Sequence, residues 1–570
     1  MDAATDPQHD HDSNDAKTMN GTNGHVDLDM RSMILGGLTP PAPKVGGADA
    51  ANGSDGASGT ETAAEDVATQ VIAVDDHFRL LPSALPVSEG PVPGPRQPDA
   101  VARFLLYLYA REGVHLKHWR DDWYLWRGAR TGGAYQRLTG ADNRYAVADS
   151  VRSVLSDAKY TVTTKDTVDV RDWAPSRTSV TEVVEAMAAQ SRPSESMSAG
   201  TWLVDWDERE KGTPGAEVTC VANGLLWSPR AASADVGVGA GLERERERTL
   251  LPHTPEFFTD TAVAVAWEPG ARCGRWMQFL EELWPGDGDS QALLQEWFGY
   301  VLTGDTSLQK MLTLIGPKRS GKGTVSWVME QLLGGSRQVD HPTMASLATN
   351  FGLAGMLGKR LAIIGDARIA KSDPAIVERL LMISGEDPIT IDRKHQSPIV
   401  AKLDARIVIL SNDLPDLRDT TGALASRLIP LTTEASFFGR EDLGLKAKLG
   451  SELPGVLRWA MEGADRLWGQ GGRFTTGTAV QGAMRDAERA GSPVIAFAQD
   501  CLEFEADAYT LKTALYDMYV MWTTDAGFGV KGKNVFFRDL KAAFAGQVNT
   551  DAKLPPSQGR TPIVKGVRVA

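Results

Sequence analysis

The chain has 570 residues, a net charge of −14, and 42% hydrophobic against 24% charged residues. That length allows about two to four domains, and no apolar run approaches the ~20 residues that a membrane span needs. An acidic balance excludes a protein that coats nucleic acid with its whole surface and confines any DNA contact to a few loops. The three cysteines, Cys220, Cys273 and Cys501, lie far apart without a C-x-x-C pair. Neither a zinc ribbon nor a disulfide framework is therefore expected, and a reducing cytoplasm is the expected compartment.

Residues 1–97 are rich in Asp, Gly, Ala, Ser, Thr and Asn, and close on a Pro/Gly-rich stretch. Such a composition buries too little apolar surface to offset the entropy of ordering, so a disordered tail and linker are expected. Helical spacing begins in AVARFLLYLYAREG (100–113). Aromatics then alternate with charges around glycines from His115 to Thr139, the pattern of a β-hairpin. The Trp and Arg residues of Trp119–Arg130 read either as a half-buried core or as a stacking surface for bases. Helical patterns follow at Asn143–Ala158 and Ser179–Ala189. The charged run Glu243–Arg248 reads as a solvated loop, and the lone His253 as structural. Two amphipathic helices are expected at 273–284 and 291–304.

The strongest local signal is MLTLIGPKRSGKGT, Met311–Thr324, in which an apolar strand runs into a glycine-bounded turn and then a helix. The spacing G-x-x-x-x-G-K is that of a loop which cradles a nucleoside triphosphate. Gly316 and Gly321 permit the backbone angles that aim successive N–H groups at one anion, across Pro317, Lys318, Arg319 and Ser320. Lys322 neutralises the outer phosphates, and the helix start adds its positive end. Gly323 stands where Ser or Thr usually offers Mg²⁺ a hydroxyl, and Thr324 follows about 100° further round the helix.

Lys359–Ile364 reads as a second apolar strand beside that loop, ending in Gly365 and Asp366, a carboxylate suited to Mg²⁺ or its water. A second adjacent acid is absent, so the base for an attacking water is Asp366 itself or a carboxylate from elsewhere in the chain, with Glu378 and Glu386 as candidates. Two short strands flank Asp392-Arg393-Lys394-His395, a basic tip that is either a solvated turn or a grip on DNA phosphates. Ala405–Leu410 is a third buried strand, ending in Ser411-Asn412-Asp413, where Asn412 can orient water or sense the γ-phosphate. Arg427 precedes another apolar strand and either pairs within its own subunit or reaches a neighbour's phosphate.

These stretches together, from LQEWFGYVLTGDTSLQKMLTLIGPKRSGKGT through GKRLAIIGDARI, VERLLMISGEDPITIDRK, ARIVILSNDLPDLRDTTGALASRLIPLTT, SFFGRED and ELPGVLRWAMEGADRL, resemble the phage/plasmid primase-helicase family. That family is a superfamily 3 helicase of the AAA+ type. The resemblance implies an α/β fold: a P-loop ATPase core with a parallel sheet between helices at 271–435. It also implies a mainly helical amino-terminal α+β region at 98–270, a helical lid at 436–490 and a winged-helix-like DNA-binding domain at 491–570. It further implies an ATP- and Mg²⁺-dependent replicative DNA helicase, a hexameric ring translocating on single-stranded DNA. Gly316–Thr324 would be the phosphate motif and Asp366 the second-motif acid, with Thr324 on the metal side. Arg393, Lys394 and His395 would lie in the DNA-gripping hairpin, Asn412 would be the sensor, and Arg427 the finger acting on the adjacent subunit.

Residues 1–97 are low-complexity and cysteine-free and offer no room for a polymerising primase domain with its zinc-binding stem, so a helicase that relies on a separate primase is expected. In the tail, Lys531, Lys533, Arg538, Lys541, Arg560, Lys565 and Arg568 give a local positive balance suited to origin duplex DNA. A docking domain with ordinary surface charge is the plainer reading. The alternative function is an ATP-switched DNA-binding initiator or scaffold with little unwinding, which the single acid and Gly323 favour. A small-molecule P-loop kinase is disfavoured by Arg427 and Asn412.

Overall fold

The computed structural model describes residues 92–138, 141–194, 197–203, 217–228, 248–365, 374–394, 396–414 and 423–570. Of the expected disordered tail and linker, residues 1–91 lie outside them, as does most of the charged run 243–248. The last linker residues are ordered: Val92 is buried and its N–H bonds to the Lys159 carbonyl oxygen at 3.0 Å. Among the described residues no helix is long and apolar enough to cross a membrane, and Cys220, Cys273 and Cys501 are free thiols.

The fold is α/β and is built on a five-stranded, wholly parallel sheet. Its strands lie in the spatial order Val339–Asp340, Leu361–Ile364, Arg406–Ser411, Met311–Ile315, Leu428–Thr432. Side chains on a strand alternate between its faces, and the apolar residues sort accordingly. Leu312, Leu314, Leu361, Ile363, Val408, Ile429 and Leu431 enter one core with helices Gly274–Leu283, Gly288–Thr303, Lys322–Leu332 and Leu453–Gly469. Met311, Ala362, Ile364, Ile407, Ile409 and Leu428 enter another with Pro374–Gly385 and the hairpin Ile389–Arg393/Gln396–Ala401. A sheet whose strands are apolar on both faces and covered on both is the usual condition of parallel sheets.

Helices Gly288–Thr303 and Leu453–Gly469 touch through glycines. A Cβ on Gly299 would stand 2.5 Å from the Ala460 carbonyl oxygen, and one on Gly463 would stand 2.3 Å from that of Gln295. Their contact is also fixed by Glu296, which is fully buried. Its carboxylate accepts from Arg466 Nε (2.7 Å), Gln470 Nε2 (3.0 Å), Thr475 N (2.7 Å) and Thr475 Oγ1 (2.6 Å).

The amino-terminal region is mixed rather than mainly helical, with three α-helices and ten short strands among the described residues. Helices Pro98–Arg111, Ala141–Ser156 and Arg177–Gln190 share a core with Leu116, Trp123 and Leu125 of the hairpin His115–Trp119/Asp122–Trp126. Trp119, Trp123 and Trp126 are all buried, so the aromatic run is core and not a base-stacking surface. His253 is structural as expected: Nε2 lies 2.8 Å from the Val221 carbonyl oxygen, and its ring fills the space beside Gly133.

The carboxyl-terminal segment has its own apolar cluster around Phe497, Tyr519, Phe536 and Val564. Its elements run helix Pro493–Cys501, strand Leu502–Leu511, helices Lys512–Asp525 and Lys533–Ala543, then strand Ile563–Val569 antiparallel to the first strand. The expected short hairpin is thus a pairing of sequence-distant strands, with isolated bridges Asn549–Lys565 and Lys553–Pro562 beside it.

Candidate nucleotide site

Because the sheet is parallel, the carboxyl ends of its strands share one edge, and loops there can converge on a ligand. Strand Met311–Ile315 is buried throughout and passes into Gly316, while helix Lys322–Leu332 begins after Gly321. Gly316 is required by packing: a Cβ there would stand 2.7 Å from the Thr433 carbonyl oxygen. Gly321 is required by conformation and space. Its φ is +87°, and a Cβ would approach Leu283 Cδ2 to 2.8 Å and Phe279 Cζ to 3.0 Å. Arg319 also has positive φ (+59°). The helix start adds first-turn N–H groups without intrahelical partners and the positive end of the dipole.

Lys322 Nζ donates to the carbonyl oxygens of Gly316 (2.5 Å) and Pro317 (2.9 Å), to Ser320 Oγ (3.2 Å) and to Asn412 Oδ1 (3.3 Å). All four partners are neutral oxygens, and partial burial lowers the lysine pKa. An ammonium so placed gains when an anion enters the loop. Asn412, ninety residues away, arrives because Arg406–Ser411 is hydrogen-bonded to Met311–Ile315, with Ser411 opposite Ile315. Sequence separation of that kind is bridged by strand pairing, and the two side chains meet in space.

The remaining expected site residues fall as follows. Ser320 is buried; Pro317, Lys318 and Arg319 are exposed. Gly323 is exposed, and a Cβ on it would meet nothing within 4 Å, so space does not demand glycine there. Thr324 is half-buried, its N–H bonded to the Gly321 carbonyl oxygen at 2.8 Å. Asp366 and His395 lie outside the described residues. The strand leading to Asp366 is not beside the phosphate-loop strand, as expected from sequence; Arg406–Ser411 lies between them.

Two expectations are corrected by tertiary contacts. Glu386 does not face the loop: its carboxylate bonds to Lys402 Nζ (2.7 Å) and Thr306 Oγ1. Thr306 precedes strand Met311–Ile315 and Lys402 precedes Arg406–Ser411, so this cluster is at the opposite edge of the sheet. Burial raises the Glu386 pKa, but these hydrogen bonds outweigh it and the net shift is downward. Glu378 is exposed on helix Pro374–Gly385, which leaves its expectation as it stood. Arg393 is not on a free tip. It is buried, bonded to Asp122 Oδ2 (3.2 Å) and to the Ser397 carbonyl oxygen (3.1 Å), whereas Lys394 in the turn is exposed.

Arg427 closes the turn Ala425–Arg427 and donates to the Leu381 carbonyl oxygen (2.5 Å) and to Ser384 Oγ (2.9 Å). It precedes strand Leu428–Thr432, in which Leu428 is opposite Met311 and Thr432 is opposite Ile315. Arg427 therefore stands at the sheet edge away from the phosphate loop, about 13 Å along the strands. Lys310 shares that edge: it donates to the Ser426 carbonyl oxygen at 2.6 Å, and burial and the Arg427 charge lower its pKa.

One part of the site carried no assigned role in the sequence. Residues 433–441 buttress the phosphate loop, with Phe437 N bonded to the Arg319 carbonyl oxygen (2.9 Å) and Ser436 Oγ to that of Lys318 (3.3 Å). Glu441 pairs with Arg319 at 3.6 Å. The signals were its position, directly after a strand that ends beside the loop, and the stretch SFFGRED that begins within it.

A family of unknown function, DUF5906, matches residues 314–427, from the end of the phosphate-loop strand to Arg427. An uncharacterized mitochondrial protein, ymf21 of Marchantia polymorpha, is 32% identical over 79 residues, 14% of this chain. The chain spans less than half of that relative, 43% of its length. Two apo structures of the NrS-1 C-terminal region are similar at TM-scores of 0.41 and 0.40, with 12% and 11% identity. Each covers 82% of this chain, and 99% and 100% of its own.

Gly321→Ala is expected to destabilise the protein by about 1–2 kcal/mol, the cost of holding a non-glycine residue in the left-handed region, since φ there is +87° and a Cβ would crowd Leu283 and Phe279. Chemical unfolding checks this, and an unchanged stability would refute the requirement for glycine at 321.

Proposed function

We propose that the chain is an ATP-driven DNA helicase of the superfamily 3, AAA+ type, working as a ring of identical subunits, with six as the expected number. The observation that carries this reading is the meeting of Lys322 and Asn412 on a phosphate loop at the carboxyl edge of a parallel sheet, while Arg427 stands at the other edge. In this reading the loop N–H groups and Lys322 bind the triphosphate, and Asn412 orients the attacking water. Arg427 acts on the triphosphate of the adjacent subunit, since it stands at the wrong edge to reach its own. Lys310 adds a second cation to that face. Mg²⁺, held by Asp366 and on the loop side by Thr324, would supply charge neutralisation at the outer phosphates; both offer the hard oxygen donors it prefers.

The carboxyl-terminal order of helix, strand, two helices and one closing strand with isolated bridges beside it supports a winged-helix-like module for origin duplex DNA. Its helix Lys533–Ala543 turns Lys533, Asn534, Arg538 and Lys541 to solvent. Single-stranded DNA would be gripped at the hairpin turn by Lys394, and priming would fall to a separate protein.

The initiator or scaffold reading has an observation of its own. Arg393, expected in the single-strand grip, is buried and paired with Asp122 (3.2 Å), which leaves fewer cations on the hairpin turn to hold a translocating strand. Steady-state ATP turnover with and without single-stranded DNA, beside unwinding of a forked duplex, separates the two. The helicase reading expects stimulated turnover and strand separation that need Mg²⁺. ATP-dependent duplex binding without either would favour the scaffold.

A further inference from the structure

Strand Ile389–Arg393 places Ile389, Ile391 and Arg393 on its inward face and Thr390 toward solvent. Two buried isoleucines are thus followed, at the same period, by a buried guanidinium. Across the hairpin Arg393 Nε reaches the Ser397 carbonyl oxygen, while Nη1 reaches Asp122 in the amino-terminal sheet, 271 residues away. The Arg393 and Asp122 side chains are only 8% and 6% exposed. Asp122 Oδ2 also accepts from Arg137 Nη2 (2.6 Å) and Nε (3.0 Å), from the strand beside it. Taking such charges out of water is costly and adds little stability; the best-attested use of a buried pair is to fix one arrangement among several.

We infer that Arg393 is a positioning residue, which pins the hairpin Ile389–Ala401 to the amino-terminal sheet through Asp122. The exposed turn at Lys394 then moves with that sheet, and the amino-terminal region sets where the turn stands. The DNA arm of the test below rests on the function proposed above; the pin itself does not.

Hydrogen exchange of the full chain, without nucleotide or DNA, tests the pin directly. Arg393→Ala and Asp122→Asn are each expected to speed exchange of the 389–401 amides about tenfold or more. Arg137→Ala, which leaves the Arg393–Asp122 contact in place, is expected to leave the hairpin protected. No acceleration, or acceleration in only one of the two, would overturn the pin, because it needs both ends. If alanine at 393 prevents folding, Arg393→Lys keeps the charge with a different reach and is read in the same way. The second arm measures the affinity of each variant for a single-stranded oligonucleotide. A pin moves both affinities in the same direction, whereas a phosphate contact would be lost in Arg393→Ala and released in Asp122→Asn, moving them oppositely. Opposite signs, or no change in either, would overturn the coupling to DNA. Failure of the parent chain to bind DNA would count against the proposed function and leave the exchange result to judge the pin.

Discussion

Mixing Arg427→Ala subunits with Lys322→Ala subunits is expected to restore ATP turnover that each variant lacks alone. Lys322→Ala removes the ammonium from the phosphate loop, and losing one such preorganised group costs roughly 10²–10³ in rate. Arg427→Ala is expected to cost roughly 10³ or more, the range for an arginine finger supplied by a neighbour. The two lesions belong to different faces of the subunit, because Arg427 and the loop stand at opposite ends of adjacent parallel strands. In a ring each interface is heterologous, so one face of every subunit meets the other face of the next. At equal mixing about a quarter of the interfaces hold an intact lysine from one subunit and an intact arginine from the next. Turnover near that fraction of the parent's rate is the expected outcome, measured after subunit exchange. A mixture as inactive as its components would show that the sites are not shared. In this arrangement Arg427 is held by Leu381 and Ser384. Ser384→Ala should therefore leave a hand-over of the arginine possible, unlike Arg427→Ala.

Glu296→Ala is expected to destabilise the protein by about 3 kcal/mol, at the lower end of the range for breaking a buried ion pair. The carboxylate is fully buried and serves four hydrogen bonds, one of them from the guanidinium of Arg466 and two from Thr475. Its loss leaves the half-buried Thr475 N–H and an arginine without their acceptor. Arg466 is about a third exposed and can recruit water, which is why the lower end applies. Glu296→Gln keeps the shape and is expected to cost less. Chemical unfolding followed by tryptophan fluorescence checks both, and a loss below about 1 kcal/mol for alanine would refute the anchoring role. Because Glu296 ties Gly288–Thr303 to Leu453–Gly469 beneath the sheet, nucleotide affinity should also fall in proportion to the unfolded fraction, and no further.

What could be read from the chain alone was whatever local chemistry dictates. The phosphate loop is legible because glycine, glycine and lysine at fixed spacing encode backbone angles and a charge within ten residues. Four of the five parallel strands are legible as short apolar runs bounded by turns, the pattern of strands buried on both faces, whereas the two-residue Val339–Asp340 is not. A period of two in ITIDR also puts Arg393 on the inward face, although it stands beside the basic turn. Tertiary structure alone decided which strand lies beside the loop, bringing Arg406–Ser411 rather than Leu361–Ile364 next to Met311–Ile315. It sent Glu386 to Lys402 at the far edge and Arg393 to Asp122 across 271 residues. A charge takes the partner that folding places within a few ångströms, and over such separations that choice belongs to the packing of whole elements, which no local spacing records.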